Sequence, residues 1–385
     1  MIHIKDKSDC CGCTACANIC AHNAIIMQHD AYGFQYPTID KDKCINCKLC
    51  ELTCPLINEK IKLKIKTKEA FGLYNKDIEK HKLSSSGGVF EEISHFIIRQ
   101  RGIVYGVVYD TDWIVCHKRI DNFSDLNKFR GSKYVQSDLK DVFQTVYSDL
   151  KSNRLVLFSG TPCQIAGLKS YLRKDYENLV TCEVICHGVP SPLLFKDYVS
   201  FIQKERKKII AHINMKDKTN GWGNQSLKLV YKDGSTEHGT LLTNLWNRIY
   251  YSNKALRPSC YSCKFTDYSR CADIALGDYW NLNKFHPEIY NKNGVSLILI
   301  QTSKGINVFN NIRDSFFKIK LNIGEYPQES LESPIKIPLE RDLFWQDYFE
   351  HGFKFISKKY YGYENKKWKL FLRAIKNTIR KKLNK

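Results

Sequence analysis

The chain has 385 residues, 60 basic against 40 acidic side chains for a formal charge of +20, and 16 cysteines. It has no apolar stretch near the ~20 residues that span a bilayer and no charged start leading into an apolar export core, which argues against a helical membrane protein and for a cytoplasmic one. Thiols stay reduced in that setting, so clustered cysteines read as metal ligands rather than disulfides.

Cys10, Cys13, Cys16 and Cys20 form a C-x-x-C-x-x-C-x-x-x-C run, which recurs as Cys44, Cys47, Cys50 and Cys54 before Pro55. Each x-x gap lets a tight loop offer three thiolates to one face of a cubic iron–sulfur cluster, while the fourth cysteine, on a following helical turn, reaches the other cluster. The spacing predicts one [4Fe–4S] centre on Cys10, Cys13, Cys16 and Cys54 and a second on Cys44, Cys47, Cys50 and Cys20. Residues 1–58 then form a two-cluster module that resembles bacterial ferredoxins, except that Ala21 stands where the first run usually has proline. A zinc site wants four ligands rather than a duplicated set, and a disulfide framework is the other competing reading. Cys11 breaks the spacing and is expected to be a bystander.

Residues 59–69 come next, with lysine at every second position from Lys60 to Lys68. Period two puts these lysines on one side of an extended segment, read as a solvated basic linker. From Ala70 the pattern becomes α/β. Phe71–Tyr74 is a short strand, Ser84 to Gly88 opens a helix over Val89–Arg99, and Ile103–Tyr109 is β-rich. Leu155–Phe158 is a strand that ends in Ser159-Gly-Thr-Pro-Cys163 before a helix from Gln164 to about Leu172. Leu179–Ile185 is another, running into Cys186-His-Gly-Val-Pro190. Such alternation predicts a largely parallel sheet. Residues 210–239 look like antiparallel β with a hairpin turn at Lys232–Ser235, and Val295–Gln301 adds a strand.

Cys163 and Cys186 thus lie at the carboxyl ends of sequential strands, where open α/β sheets place ligands. Cys163 also opens a helix, whose amides and dipole stabilise a thiolate. With Cys260-x-x-Cys263 they would make a third [4Fe–4S] site. The residues alone leave alternatives open: Cys186 and His187 as a thiolate–imidazole pair, Cys163 as a lone reactive thiol, or cysteines that merely fill core. Cys116, Cys182 and Cys271 are expected to be structural.

The ferredoxin runs, Ser85-Ser-Gly-Gly88, Gly131-Ser-Lys-Tyr-Val-Gln136, the Cys163 and Cys186 turns, Cys260-x-x-Cys263 and Asp273-Ile-Ala-Leu-Gly-Asp-Tyr-Trp280 follow one another in a familiar order. Over about residues 1–305 the chain resembles the coenzyme F420 hydrogenase/dehydrogenase beta-subunit family, in the ferredoxin-fused form found beside polysaccharide biosynthesis genes. The resemblance implies FAD and a third [4Fe–4S] cluster, carried by Cys163, Cys186, Cys260 and Cys263; Cys271 departs from the usual pattern. A flavin suits the task, because it collects single electrons and releases a hydride. Ser85, Ser86, Gly87 and Gly88 at a helix start would give its diphosphate backbone N–H donors. Lys133 would contact the phosphates or the ring, Asp278 would line the flavin, and His187 would donate a proton. An N-cap, a surface turn and a structural histidine are the plainer readings of these residues.

The expected fold class is α+β: the ferredoxin module, then an α/β flavin and iron–sulfur domain over 70–345, then a basic amphipathic tail over 346–385. The expected function is an oxidoreductase passing electrons from a low-potential donor, such as reduced acidic ferredoxin, through [4Fe–4S] clusters and FAD to a small organic substrate. An electron-transfer subunit serving a partner enzyme and a nucleic-acid-binding sensor are the alternatives, although no nucleic-acid motif appears. Each cluster site adds a net charge of about −2, so three would still leave about +14 to steer acidic partners.

In the tail, Trp368, Phe371, Leu372, Ile375 and Ile379 form one helical stripe among lysines and arginines. Such a helix can lie peripherally on the inner face of an anionic membrane, or it can dock on the domain, which is the preferred reading. Deleting residues 366–385 should then leave liposome co-sedimentation unchanged; a clear fall in bound protein would establish the membrane reading instead.

Overall fold

The computed structural model describes residues 1–58, 64–224 and 226–363. The stripe at 366–385 lies outside the described residues, as does much of the lysine-rich segment. At the described end of that segment Lys64, Lys66 and Lys68 are exposed on alternate positions, and the backbone is anchored: Lys64 ion-pairs Asp267 at 2.9 Å, and Ile65 pairs with Arg270 in an isolated bridge. Among the described residues no helix is long and apolar enough to cross a membrane.

The N-terminal module pairs β1 (Ile25–His29) antiparallel with β2 (Gln35–Ile39). Two short helices, Ala15–Asn18 and Leu49–Thr53, carry Cys16 and Cys50. The module is not a bead on a string. Cys11, Cys13 and Ala15 share one apolar core with Phe143, Phe158, Ile165 and Leu168 of the following domain. Asn18 donates to the Lys140 carbonyl at 2.9 Å and accepts from Gln144 at its own carbonyl at 3.1 Å.

The larger domain is built on an eight-stranded sheet from β3 (Glu69–Asn75), β4 (Ile103–Tyr109), β5 (Val115–Ile120), β6 (Val156–Gly160) and β7 (Leu179–Val184). A separate antiparallel sheet comprises β8 (Ile210–Asp217), β9 (Ser226–Tyr231) and β10 (Thr236–His238), with the turn at 232–235 where expected. The main sheet is completed by β11 (Ile274–Asp278), β12 (Ser296–Ile300) and β13 (Phe316–Lys320), in the order β13-β3-β12-β11-β7-β6-β4-β5.

The expectation of a largely parallel sheet is corrected. Only the centre, β11-β7-β6-β4, is parallel, and both flanks are antiparallel. The cause is connection length. A tight turn, closed by the Asp110 amide on the Ile114 carbonyl at 2.8 Å, can join β4 to β5 only as a hairpin. The strand direction puts the ends of β3, β4, β6, β7 and β11 along one edge. The segments after them carry Ser85–Gly88, Cys163 and Cys186, with Asp278 closing β11.

The helix Arg341–Tyr361, bent at Gly352, crosses the boundary expected at 345/346. Its Phe344, Trp345, Phe353 and Ile356 are buried in one core with Phe195, Tyr198 and Trp246. The domain therefore runs to Tyr361, because these side chains have packing partners that a free amphipathic tail would lack.

Beneath the site edge, Glu183 on β7 ion-pairs with Arg270, both fully buried. Arg270 also donates to the carbonyls of Phe265 at 3.2 Å and Asp267 at 2.7 Å, shaping the loop after Cys263. Burial raises the Glu183 carboxyl pKa, and its second oxygen has no partner. Arg270→Met would strand this buried carboxylate and should lower unfolding stability by about 3–5 kcal/mol, read by denaturant titration.

Candidate electron-transfer site

The duplicated run folds into two cysteine-lined cavities. Cys20, Cys44, Cys47 and Cys50 line one together with Ile25, Ile39 and Ile45. Cys10, Cys13, Cys16 and Cys54 line the other, with Ile2, Ile4 and Leu56. The crossed membership, with Cys20 in one cavity and Cys54 in the other, follows the spacing argument. The sites differ in exposure: Cys47 is exposed, whereas Cys13, Cys16 and Cys54 are buried. Burial, then the neighbouring Cys10, Cys54 and Cys50, push the Cys16 thiol far up. Four thiolates cannot share such a space without a cation between them, which is what an iron–sulfur core provides.

The turns after β6 and β7 bring Cys163 and Cys186 to the Cys260–Cys263 loop. Burial and then Cys260, Cys163 and Cys263 raise the Cys186 thiol, and burial pushes Cys260 up to about 12. Backbone amides already point at the sulfurs: the Val189 N–H donates to Cys260 Sγ at 3.5 Å. Gly188, at φ +150°, is required there, since a Cβ would sit 2.8 Å from Leu256 Cδ1. Cys163 follows Pro162 at the start of the helix Pro162–Leu172, capped reciprocally by Thr161 and Gln164. Among the described residues no three His, Cys, Asp or Glu side chains are placed to hold a single metal ion. Cys271 is buried beside Glu183, in the core against which Cys163 and Cys263 pack, while Cys116 and Cys182 lie within strands.

Cys11, expected to be a bystander, is the point of contact between groups. It shares one apolar core with Cys13, and Cys163 and Cys263 pack against that core. Gly167 in the helix allows the approach, because a Cβ there would lie 2.7 Å from Cys13 Cβ. Arg257 completes the joint. Fully buried, it donates to the Cys10 carbonyl at 2.8 Å, Gln35 carbonyl at 2.8 Å, Gln136 Oε1 at 3.0 Å and Cys10 Sγ at 3.7 Å.

The Ser84–Gly88 segment lies on the same edge. Ser85 Oγ accepts from the Ser132 amide at 2.8 Å, tying this loop to the one that carries Lys133. Gly88 caps the helix Val89–Arg99 at φ 85° with no side-chain acceptor, leaving first-turn amides open. Ser86 Oγ is buried without a partner. Lys133 donates only to the carbonyls of Lys128 at 3.0 Å and Arg130 at 2.9 Å, and burial pulls its amine down to about 7. Lys218 donates to the carbonyls of His81 at 2.6 Å and Asn293 at 2.7 Å, and is likewise lowered to about 7. Glu91 and Glu92 at the helix start are offset by Arg130 and Lys80 at 2.6 Å each. Cationic groups, an orphaned hydroxyl and open amides together fit an anionic diphosphate.

Asp278 is engaged rather than free: it ion-pairs with Lys216 and accepts from Trp222 Nε1 at 3.1 Å. Trp222 stacks on Trp280 with ring centroids 4.9 Å apart, and Lys216 Nζ lies 5.2 Å from the Trp280 centroid. His187 Nε2 meets Asn253 Oδ1 at 2.7 Å, and its ring contacts Tyr250 and Tyr251. Tyr134 stacks on Tyr250 at 4.6 Å. Sequence reasoning missed Arg257, Lys216, Lys218 and this aromatic wall. Only Tyr134, inside the Gly131–Gln136 motif, carried a signal.

Residues 153–321 match the family model for the C terminus of the coenzyme F420 hydrogenase/dehydrogenase beta subunit, and residues 9–56 match the 4Fe-4S dicluster domain. Over 45 residues the chain is 47% identical to a probable iron-sulfur subunit of the Frd operon of Proteus vulgaris, covering 12% of this chain and 26% of that protein. Over 52 residues it is 36% identical to an uncharacterized ferredoxin of Methanocaldococcus jannaschii, covering 14% of this chain and 66% of the ferredoxin. It superposes on a chain of the F420-reducing [NiFe] hydrogenase complex from Methanosarcina barkeri with a TM-score of 0.44 and 16% identity, covering 78% of this chain and 93% of that one. The chain is thus an iron–sulfur electron-transfer protein, similar over residues 9–56 to 4Fe-4S dicluster domains and over residues 153–321 to the C terminus of the coenzyme F420 hydrogenase/dehydrogenase beta subunit.

Proposed function

We propose that the chain is an iron–sulfur flavoprotein oxidoreductase that takes electrons from a low-potential donor and delivers them to a small organic substrate in surface polysaccharide biosynthesis. The observation that supports this reading is the packing of Cys163 and Cys263 against the core that holds Cys11 and Cys13, with the turn after Cys186 bonded to Cys260 Sγ through the Val189 amide at 3.5 Å. In this reading Cys10, Cys13, Cys16 and Cys54 hold one [4Fe–4S] cluster, Cys44, Cys47, Cys50 and Cys20 a second, and the C-terminal group a third. Bound clusters would supply one-electron carriage, and FAD the conversion to two-electron chemistry.

The residues divide the remaining work. Amides of Ser85, Ser86 and Gly88, with Lys133, would bind the diphosphate, whereas the Gly87 amide expected among them is taken by Ser296 Oγ at 2.8 Å. Asp278 holds Lys216 in place under the Trp222–Trp280 pair. His187, oriented by Asn253 and flanked by Tyr250 and Tyr251, donates the proton to the substrate. The exposed Cys47 marks the second group as the side where a reduced acidic ferredoxin would dock, drawn by the net positive charge.

Anaerobic purification should yield about twelve iron atoms and one FAD per chain, and Cys260→Ser about eight with both ferredoxin signals retained. Eight iron atoms and no flavin in the parent protein would overturn the C-terminal half of the reading. Substrate reduction by the isolated chain with dithionite separates an enzyme from a subunit serving a partner.

A further inference from the structure

Arg257 raises a question that its place in the loop before Cys260 does not answer. Burying a guanidinium costs several kcal/mol unless a counter-charge compensates. Its side chain is fully buried, yet none of its acceptors is a carboxylate: they are the Cys10 and Gln35 carbonyls, Gln136 Oε1 and Cys10 Sγ. Tyr36 and Phe34 cover its faces, with centroids 4.3 and 5.4 Å away. The negative charge it faces is therefore the sulfur side of the Cys10 group. Its field also reaches Cys163 and Cys260, on the other side of the domain joint. Among the described residues no guanidinium lines the Cys20, Cys44, Cys47 and Cys50 cavity; its cations are Lys48 and the Met1 amine, which is paired with Glu51 at 2.6 Å, and Cys47 there is open to solvent, which screens them.

A cluster gains one electron on reduction and becomes one charge more negative. A fixed cation in a low-dielectric setting favours that reduced form, and hydrogen bonds to ligand sulfur act in the same direction. We propose that Arg257 is a positioning and tuning residue for electron transfer: its buried charge holds the cluster at Cys10, Cys13, Cys16 and Cys54 at a higher potential than the outer cluster at Cys20, Cys44, Cys47 and Cys50. Electrons arriving at the exposed cluster are thereby drawn inward, toward Cys11 and Cys163. The proposal rests on the ligand assignment above, but only on its ferredoxin half. It holds whether or not the third group carries iron.

The test is an EPR-monitored redox titration of the full chain. Arg257→Gln should lower the potential of the inner cluster by at least 59 mV, the one-electron equivalent of a tenfold change, and leave the outer cluster unchanged. Arg257→Lys, which keeps the charge, should restore most of it. Should Arg257→Gln lose iron, Gln136→Glu decides the matter: a carboxylate on the guanidinium should offset its field and lower the same potential. An unchanged inner potential with both clusters present, or an equal shift in both clusters, would overturn the proposal. Failure of the ligand assignment is distinguishable: Cys10→Ser would then leave both parent signals intact.

Discussion

One buried cation organises the meeting of the two domains. Arg257 has no carboxylate among its hydrogen-bond partners, and its guanidinium reaches the Cys10 loop, the β2 backbone and Gln136 at once. A buried charge is tolerated only where each donor is satisfied, so its geometry dictates where the ferredoxin module sits. Gly12, at φ +69°, follows from it, because a Cβ would lie 2.8 Å from the guanidinium. The apolar core shared by Cys13, Phe143 and Ile165 then supplies area that the ion contacts alone lack.

The second organising constraint is strand direction. Because β3, β6, β7 and β11 end on one edge, chain segments distant in sequence deliver Ser85–Gly88, Cys163, Cys186 and Asp278 to it. The antiparallel flanks do not disturb this, since β12 begins at that edge and contributes Ser296, which accepts from the Gly87 amide at 2.8 Å. Two independent electrostatic problems lie side by side there. Grouped thiols raise one another's pKa and favour a cationic core between them. Lys133 and Lys218, lowered by burial and bonded to carbonyls, favour an anion beside them.

Legibility followed the range of the interactions. The eight N-terminal cysteines were readable because a loop of fixed spacing must wrap a fixed cube, so local geometry carries the pattern. Helix Val89–Arg99 and strand Ile103–Tyr109 were readable for the same reason: periodicity of burial is local. The flanks of the sheet were misjudged because direction depends on connections, not on strand composition. The roles of Cys11 and Arg257 were not readable, since neither lies in a spacing pattern and the partners that matter, Cys163 for one and the Cys10 loop for the other, are far away in the chain.

What the sequence by itself determined is therefore the donor chemistry: two interleaved sets of four cysteines, a later pair, and two cysteines at strand ends. Only the tertiary structure decided that Cys11 packs toward Cys163 and that Arg257, in the loop before Cys260, reaches the Cys10 loop of the ferredoxin module. The physical reason is that ligand spacing within a loop is set by covalent geometry, whereas the approach of loops hundreds of residues apart is set by buried charge and packing.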